Sequence, residues 1–452
     1  MQDIYDYIDA HRDEYVRDLQ TLVRQPSVSA QNIGLRECAE LVLKLMHDDG
    51  LDAHLHELEG GPPVITGHMT TPRSAKTMLC YSHYDVQPPE PLDAWTHGGP
   101  WSAAIVDGVL YGRGATDNKS GVLAFNKAAK AFLQVRGELP VNLKFIIEGE
   151  EEIGSLHLGP WVERNAELLR ADGMHCLDGS VDTATGLPDI DLGLKSVLFI
   201  ELIARGAKQD VHSLNFPLLP APAWELVRAL NTIMDSNRRI LIDGWYDGLY
   251  ELQEEDYEQL EAKARRVDLS KLKDEWGISQ FALGRDGIEA IRARAYEPTA
   301  NIAGLISGYT GPGSKTIVPH EARAKMDFRL TPHLDPDTAV QKLRAHLDRH
   351  GFEHIEIKFE ARSEPPYKIS VKEPMAQAVI AAAMEVYGEM PIVNGVSAEG
   401  TILKHVWIPC VLTGFANPGA NLHAPDENIR IDAYIQGIKY AAAIMQHFGK
   451  SG

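Results

Sequence analysis

A chain of 452 residues is about three times the size of a common domain, long enough to bury a large core and to divide into more than one domain. Its 64 acidic and 44 basic side chains leave a formal charge of −20, which repels polyanions and excludes nucleic acid or an anionic membrane surface as a partner. The N-terminal MQDIYDYIDAHRDEY has acids where a signal peptide needs basic residues, no stretch approaches the roughly 18 apolar residues of a membrane span, and Cys38, Cys80, Cys176 and Cys410 lack CxxC spacing, so a soluble cytoplasmic protein with reduced thiols is expected.

Ile4, Ile8, Tyr15, Leu19, Leu22 and Val23 recur at helical spacing until Gln25-Pro26, which predicts one opening amphipathic helix. A second follows, with Ala39, Leu41, Val42, Leu45 and Met46 on its apolar side. Strand and helix then alternate: a strand over 77–81, a helix over 121–133 with Val122, Phe125, Ala129 and Phe132 inward, and a β-branched strand over 141–147. This alternation predicts an α/β fold with a largely parallel sheet covered by helices.

From about Lys195 the character changes. Residues 196–203 and the alternating 323–330 predict strands with one wet face, and a helix over 336–349 and a strand over 354–359 complete a separate α+β module. Between them lies a polar stretch in which the run Glu254-Glu255-Asp256 reads as a solvated surface. The α/β pattern returns with a helix over 375–387, a strand over 408–412 and a last helix over 433–448. A discontinuous main domain, 1–194 and 366–452, interrupted by an inserted domain, 195–365, explains this order.

Five segments carry chemistry. In YSHYDVQP, an apolar strand runs into His83 and Asp85, and the two-residue repeat points both side chains the same way. Imidazole is a common metal ligand whose second nitrogen needs an acceptor, although an isolated HxD fits a structural histidine as well. LYGRGATDNKSG places Asp117 just before an apolar helix, where an acid is also a normal cap; its two oxygens suffice to bridge two cations. FIIEGEEEIGS delivers Glu150, Glu151 and Glu152 from a buried strand, a crowding that a cation relieves. Asp178 in MHCLDGS and His423 in NPGANLHAPDENI are loop residues whose meaning comes from the set.

Together these segments resemble the dinuclear-zinc family of carnosinase-type dipeptidases, aminoacylases, desuccinylases and carboxypeptidase G, from about Gln25 to the C-terminus. YSHYDVQP, WTHGGPWSAAIVDGVLYGRGATD and EGEEEIGS bring it nearest to the dipeptidase branch. The resemblance implies His83, Asp117 and Asp178 on one metal ion and Asp117, Glu152 and His423 on the other, with Asp85 orienting His83 and Glu151 as general base. It also implies two divalent ions, with Zn, Mn and Co all suited to oxygen and imidazole ligands, and a small peptide substrate. The inserted module resembles the family's lid and dimerisation domain. QDVHS would then offer His212 to the oxyanion in the partner subunit of a homodimer, and Arg329 in MDFRL and Thr401 would hold a substrate carboxylate.

Ser82 and Ser120 stand where the family often has glycine, and Glu399 lies in a stretch that is usually glycine-rich. An acid there would repel a substrate carboxylate. The expected activity is hydrolysis of the amide bond of dipeptides or short peptides. Two alternatives stay open, an N-acyl-amino-acid deacylase or desuccinylase with the same metal chemistry and a catalytically silent metal-binding homologue.

Overall fold

The computed structural model describes residues 1–179, 181–182, 185–362, 365–397 and 408–451. The chain forms two compact units: Met1–Leu192 with Ile369–Gly395 and the described residues from 408 onward, and Gly193–Lys368 with Val396 and Ser397.

The first unit is built on an eight-stranded mixed sheet. At its centre the strands Asn142–Glu148, Thr77–His83 and Gly173–Cys176 lie side by side and parallel, and Cys410–Thr413 continues parallel to the last. Val64–Met69 joins antiparallel on one side, and Asp189–Asp191 joins Cys410–Thr413 antiparallel on the other. The central strands read as apolar runs because helices cover them. Helix Lys119–Arg136 packs on Thr77–His83 and on Ile431–Lys450, which packs in turn on Pro374–Tyr387. Val122, Phe125, Phe132, Val379, Ile438 and Met445 share one core, where each large side chain contributes about 1.5–3 kcal/mol on leaving water.

The second unit holds a four-stranded antiparallel sheet in the order Thr299–Ser307, Glu321–Leu330, Ser196–Arg205, Glu356–Arg362. Ala322, Ala324, Met326, Phe328 and Leu330 alternate inward and meet Leu198, Ile200 and Leu202. Helices Pro222–Ile233 and Pro336–Arg349 close that face with Leu226, Ile233, Leu343 and Leu347.

Two expectations need correction. The opening helix is broken into Gln2–Ala10 and Arg12–Arg24, because His11 takes φ −105° and ψ 14° and its Nδ1 bonds the Tyr7 carbonyl at 2.8 Å. Each half still buries its own stripe, Ile4 and Ile8 in the first and Leu19, Leu22 and Val23 in the second. The run Glu254-Glu255-Asp256 is not wholly solvated. It opens the helix Glu254–Ala264, and Asp256 is fully buried, accepting from Tyr250 Oη at 2.6 Å, Tyr296 Oη at 3.2 Å and the Gln253 amide at 2.8 Å, with Lys368 Nζ at 2.9 Å. The polar stretch also contains helices Leu269–Trp276 and Gly287–Tyr296, whose few apolar residues, such as Ile291, form a small core with Leu260.

One core histidine gives the first unit a pH signature. His175 is fully buried on the strand Gly173–Cys176, its Nε2 3.0 Å from Thr413 Oγ1 and its ring edge-on to Phe125, and burial holds its pKa down at about 3. The folded chain therefore keeps it neutral while the unfolded chain protonates below its ordinary value near 6.5. Its contribution to stability is complete above that value and is lost as pH falls toward 3, by about 1.4 kcal/mol per unit. Urea unfolding of the metal-stripped protein from pH 8 to pH 4 should show this slope, and His175→Gln should flatten it relative to wild type.

Candidate metal centre

Three neighbouring parallel strands end on the same edge of the sheet, and each hands a polar side chain to the space beyond it, as open α/β sheets do. His83 closes Thr77–His83. A 3-10 turn, Glu151–Ile153, follows Asn142–Glu148, and Asp178 follows Gly173–Cys176. Asp117 comes from the loop before helix Lys119–Arg136, and His423 from the loop before the strand Asn428–Arg430.

The five candidate ligands meet in two groups. His83 Nε2 lies 3.2 Å from Asp117 Oδ1 and 3.4 Å from Asp178 Oδ2. His423 Nε2 lies 2.9 Å from Asp117 Oδ2 and 3.3 Å from Glu152 Oε2. Asp117 thus turns one oxygen to each histidine, and both sets of three ligand atoms are compact enough to surround one ion each. Metal bonds of about 2.0–2.2 Å at tetrahedral angles set neighbouring ligand atoms roughly 3.4 Å apart, close to the spacing here.

Two observations test whether this group fits cations. His83 Nε2 is buried and makes no hydrogen bond among the described residues, although two carboxylate oxygens stand beside it. A nitrogen aimed at a common point with carboxylates, but not bonded to them, suits a shared ion. A second acidic group, Glu14, Asp18 and Asp49, shows the contrast. There Lys127 Nζ sits 2.6 Å from Asp18 and 2.7 Å from Asp49, and Lys130 Nζ 2.5 Å from Glu14, so ammonium groups already supply the charge.

The remaining acids have separate tasks. Asp85 is fully buried, and its two oxygens accept from the amides of Glu151 and Glu152 at 3.1 Å each while Oδ1 stands 3.3 Å from His83 Nδ1. It fixes the histidine ring and the glutamate turn together. Tyr84, between them in sequence, packs its ring where a Cβ on Gly149 would stand, 2.2 Å from its Cζ, so the glycine of EGEEE lets the two strand ends approach. Glu150 points away and caps helix Leu158–Arg164, accepting from the His157 and Leu158 amides. Glu148 is fully buried beside Tyr81 Oη at 2.7 Å and Ser155 Oγ at 2.8 Å; burial, aided by the Asp85 charge, pushes its pKa up to about 8. Asp117 is no helix cap, since Asn118 occupies that position and its side chain makes no capping bond.

Charge organises the pocket. Burial would lower the pKa of His83, but the carboxylates of Asp178, Asp117 and Asp85 raise it well above the ordinary value. Hydrogen bonds to Asp117 and Glu152 raise His423 to about 10. Burial, then the charges of Asp178 and Glu152, push Glu151 upward, and its Oε2 is 4.0 Å from His83 Nε2.

His212 and Arg329 belong to the second unit. His212 is exposed, and its Nδ1 accepts from the Leu214 amide at 3.1 Å. Arg329 lies half-buried on Glu321–Leu330, opposite Val197 and Thr299 in the neighbouring strands. Thr401 and Glu399 fall outside the described residues. Sequence reading missed Gln87, whose Nε2 donates to Glu152 Oε2 at 2.8 Å, and the buried Arg113–Glu427 pair at 2.7 Å. The glycines of YGRG and the Glu of HAPDEN were the available signals for that pair.

The Peptidase family M20/M25/M40 profile matches residues 79–447. The chain is 28% identical to a Beta-Ala-His dipeptidase of Homo sapiens, covering 98% of this chain and 92% of that protein. It is likewise 28% identical to a Cys-Gly metallodipeptidase of Schizosaccharomyces pombe, over 96% of each. Among solved structures, an M20 family metallo-carboxypeptidase from Sulfolobus solfataricus superimposes with a TM-score of 0.84 at 36% identity, covering 96% of this chain and 99% of that one.

Histidines held protonated by carboxylates must lose those protons to ligate a cation. Zinc titration of the stripped protein at pH 7.5, by calorimetry in buffers of different ionisation enthalpy, should therefore release roughly two protons on filling both positions. His423→Ala should remove about one of them.

Proposed function

Since the chain belongs to peptidase family M20/M25/M40, we propose that His83, Asp117 and Asp178 hold one divalent ion and Asp117, Glu152 and His423 the other. The enzyme is a metallodipeptidase that hydrolyses the peptide bond of dipeptides. The observation that carries the residue assignment is the pair of ligand triads sharing Asp117, with His83 Nε2 unbonded between carboxylates.

Two divalent ions supply a water of lowered pKa and polarise the scissile carbonyl. Zn is the assigned metal by the likeness to dinuclear-zinc enzymes, and the oxygen and imidazole ligands suit Mn and Co as well. Glu151 is the general base: burial and neighbouring charges raise its pKa, so it can accept a proton from the attacking water and pass it to the departing amine. Asp85 acts through others, holding the His83 ring and the Glu151 and Glu152 amides in place. Arg329 and Thr401 hold the substrate carboxylate, for which a guanidinium fork is suited. The second unit serves as lid and dimerisation domain, with His212 of each subunit donating to the oxyanion in the other. The strand Thr299–Ser307 supports a homodimer, because it edges its sheet and exposes Ile302, Leu305 and Ile306. Four free, buried cysteines suit a cytoplasmic setting, and no described helix is long and apolar enough to cross a membrane.

A second reading, removal of the C-terminal residue from longer peptides, is favoured by the 36% identity to a metallo-carboxypeptidase. Both readings need a free carboxylate next to the cleaved bond.

Glu151→Gln should lower kcat by about 10²–10⁴-fold while metal content stays unchanged; near-normal turnover would remove Glu151 from the role of base. A panel of dipeptides, C-terminally amidated dipeptides, tetrapeptides and N-acyl amino acids should show cleavage of free dipeptides above the rest. Stepwise shortening of tetrapeptides at comparable rates would favour the carboxypeptidase reading, and turnover of acylated substrates alone would replace both.

A further inference from the structure

The loop that presents His423 holds a backbone that side chains disfavour. Asn421, His423 and Asp426 have φ of 56°, 57° and 57°, in the left-handed region, so surrounding contacts must impose it. Asp426 accepts from the Thr96 amide at 2.9 Å and from Thr96 Oγ1 at 2.6 Å. The next residue, Glu427, has no solvent exposure and binds the loop that presents Asp117. Its Oε2 accepts from Arg113 Nη1 at 2.7 Å and the Gly114 amide at 3.0 Å, and its Oε1 accepts from the amides of Thr116 and Asp117 at 3.0 Å each. Its carbonyl accepts from the Gly112 amide at 2.9 Å, and Thr116 Oγ1 donates to the Asn428 carbonyl at 2.7 Å. The Arg113 guanidinium is itself fixed, donating to the Pro88 carbonyl at 3.3 Å over the Trp95 ring.

All four partners of the Glu427 side chain are donors. Only a carboxylate satisfies them, because a glutamine amide would turn its own N–H groups against one of the two pairs. One buried side chain therefore joins the two loops that bring Asp117 and His423 within 2.9 Å.

We propose that Glu427 is a positioning residue that sets the Asp117–His423 spacing, and with it the affinity for the ion held by Asp117, Glu152 and His423. It touches neither ion nor substrate and acts through the Asp117 amide and the His423 loop. The proposal rests on the metal assignment above. The His83 position depends on it less, because His83 and Asp178 are delivered by paired strands of the sheet.

The test is calorimetric titration of the stripped full chain with Zn(II) alone, for wild type, Glu427→Gln and Thr116→Val. Wild type should take two ions. Glu427→Gln should bind one of them about 10–100-fold more weakly, and Thr116→Val, which loses a single link and leaves the buried pair intact, should lose about three- to tenfold for the same ion with a melting temperature near wild type. A purely structural role would lower the melting temperature of Glu427→Gln and leave both affinities unchanged, which overturns the proposal while the metal assignment stands. If Glu427→Gln does not fold, Thr116→Val decides, and wild-type affinity for both ions overturns it. A wild type that takes no zinc overturns the metal assignment itself.

Discussion

Carboxylates crowded at a sheet edge with little access to water are the constraint around which the first unit is arranged. Asp85, Asp117, Glu151, Glu152 and Asp178 surround two imidazoles in a pocket where His83 is wholly buried. Two like charges about 4 Å apart repel by about 4 kcal/mol at an effective dielectric of 20, so such a cluster persists only if positive charge enters it and the scaffold resists spreading. Protonated histidines can carry part of that charge, and two divalent ions can carry most of it. The scaffold supplies the resistance, through three paired parallel strands below and buried acceptors beside them.

Acids of the same kind do different work here because their surroundings differ. Glu150 accepts two helix amides and caps a helix, while Glu151 and Glu152, the next two residues, are held toward the pocket by Asp85. Glu148, enclosed by Tyr81 and Ser155, has a pKa near 8 that favours its neutral form at neutral pH. Glu427 meets only donors. The lysines that neutralise Glu14, Asp18 and Asp49 stabilise helix packing, and there the same residue types make no cation pocket. Composition alone therefore does not mark a metal site; the charge that already stands among the acids does.

The second unit follows another rule. Its sheet buries one face under two helices and leaves the other half wet, so its outward residues are free to vary in chemistry. Asp256 shows how far a local reading can stray: a residue inside an acidic run becomes a buried hub because Tyr250, Tyr296 and Lys368 arrive from elsewhere in the chain.

What the amino-acid order determined unaided was local. Alternation and apolar runs marked the α/β elements and the change near Lys195, and the apolar strand ahead of each polar motif marked His83, the glutamate turn and Asp178 as strand-end groups. The break at His11 was not legible, since both halves keep the same stripe. Which acids share a pocket was decided by strand order and long loops, which bring positions 83, 117, 178 and 423 within a few ångströms. Burial is conferred by distant segments, so Glu427, Asp256 and Glu150 look alike in the sequence and become a loop clamp, a hub and a helix cap only when the chain is folded.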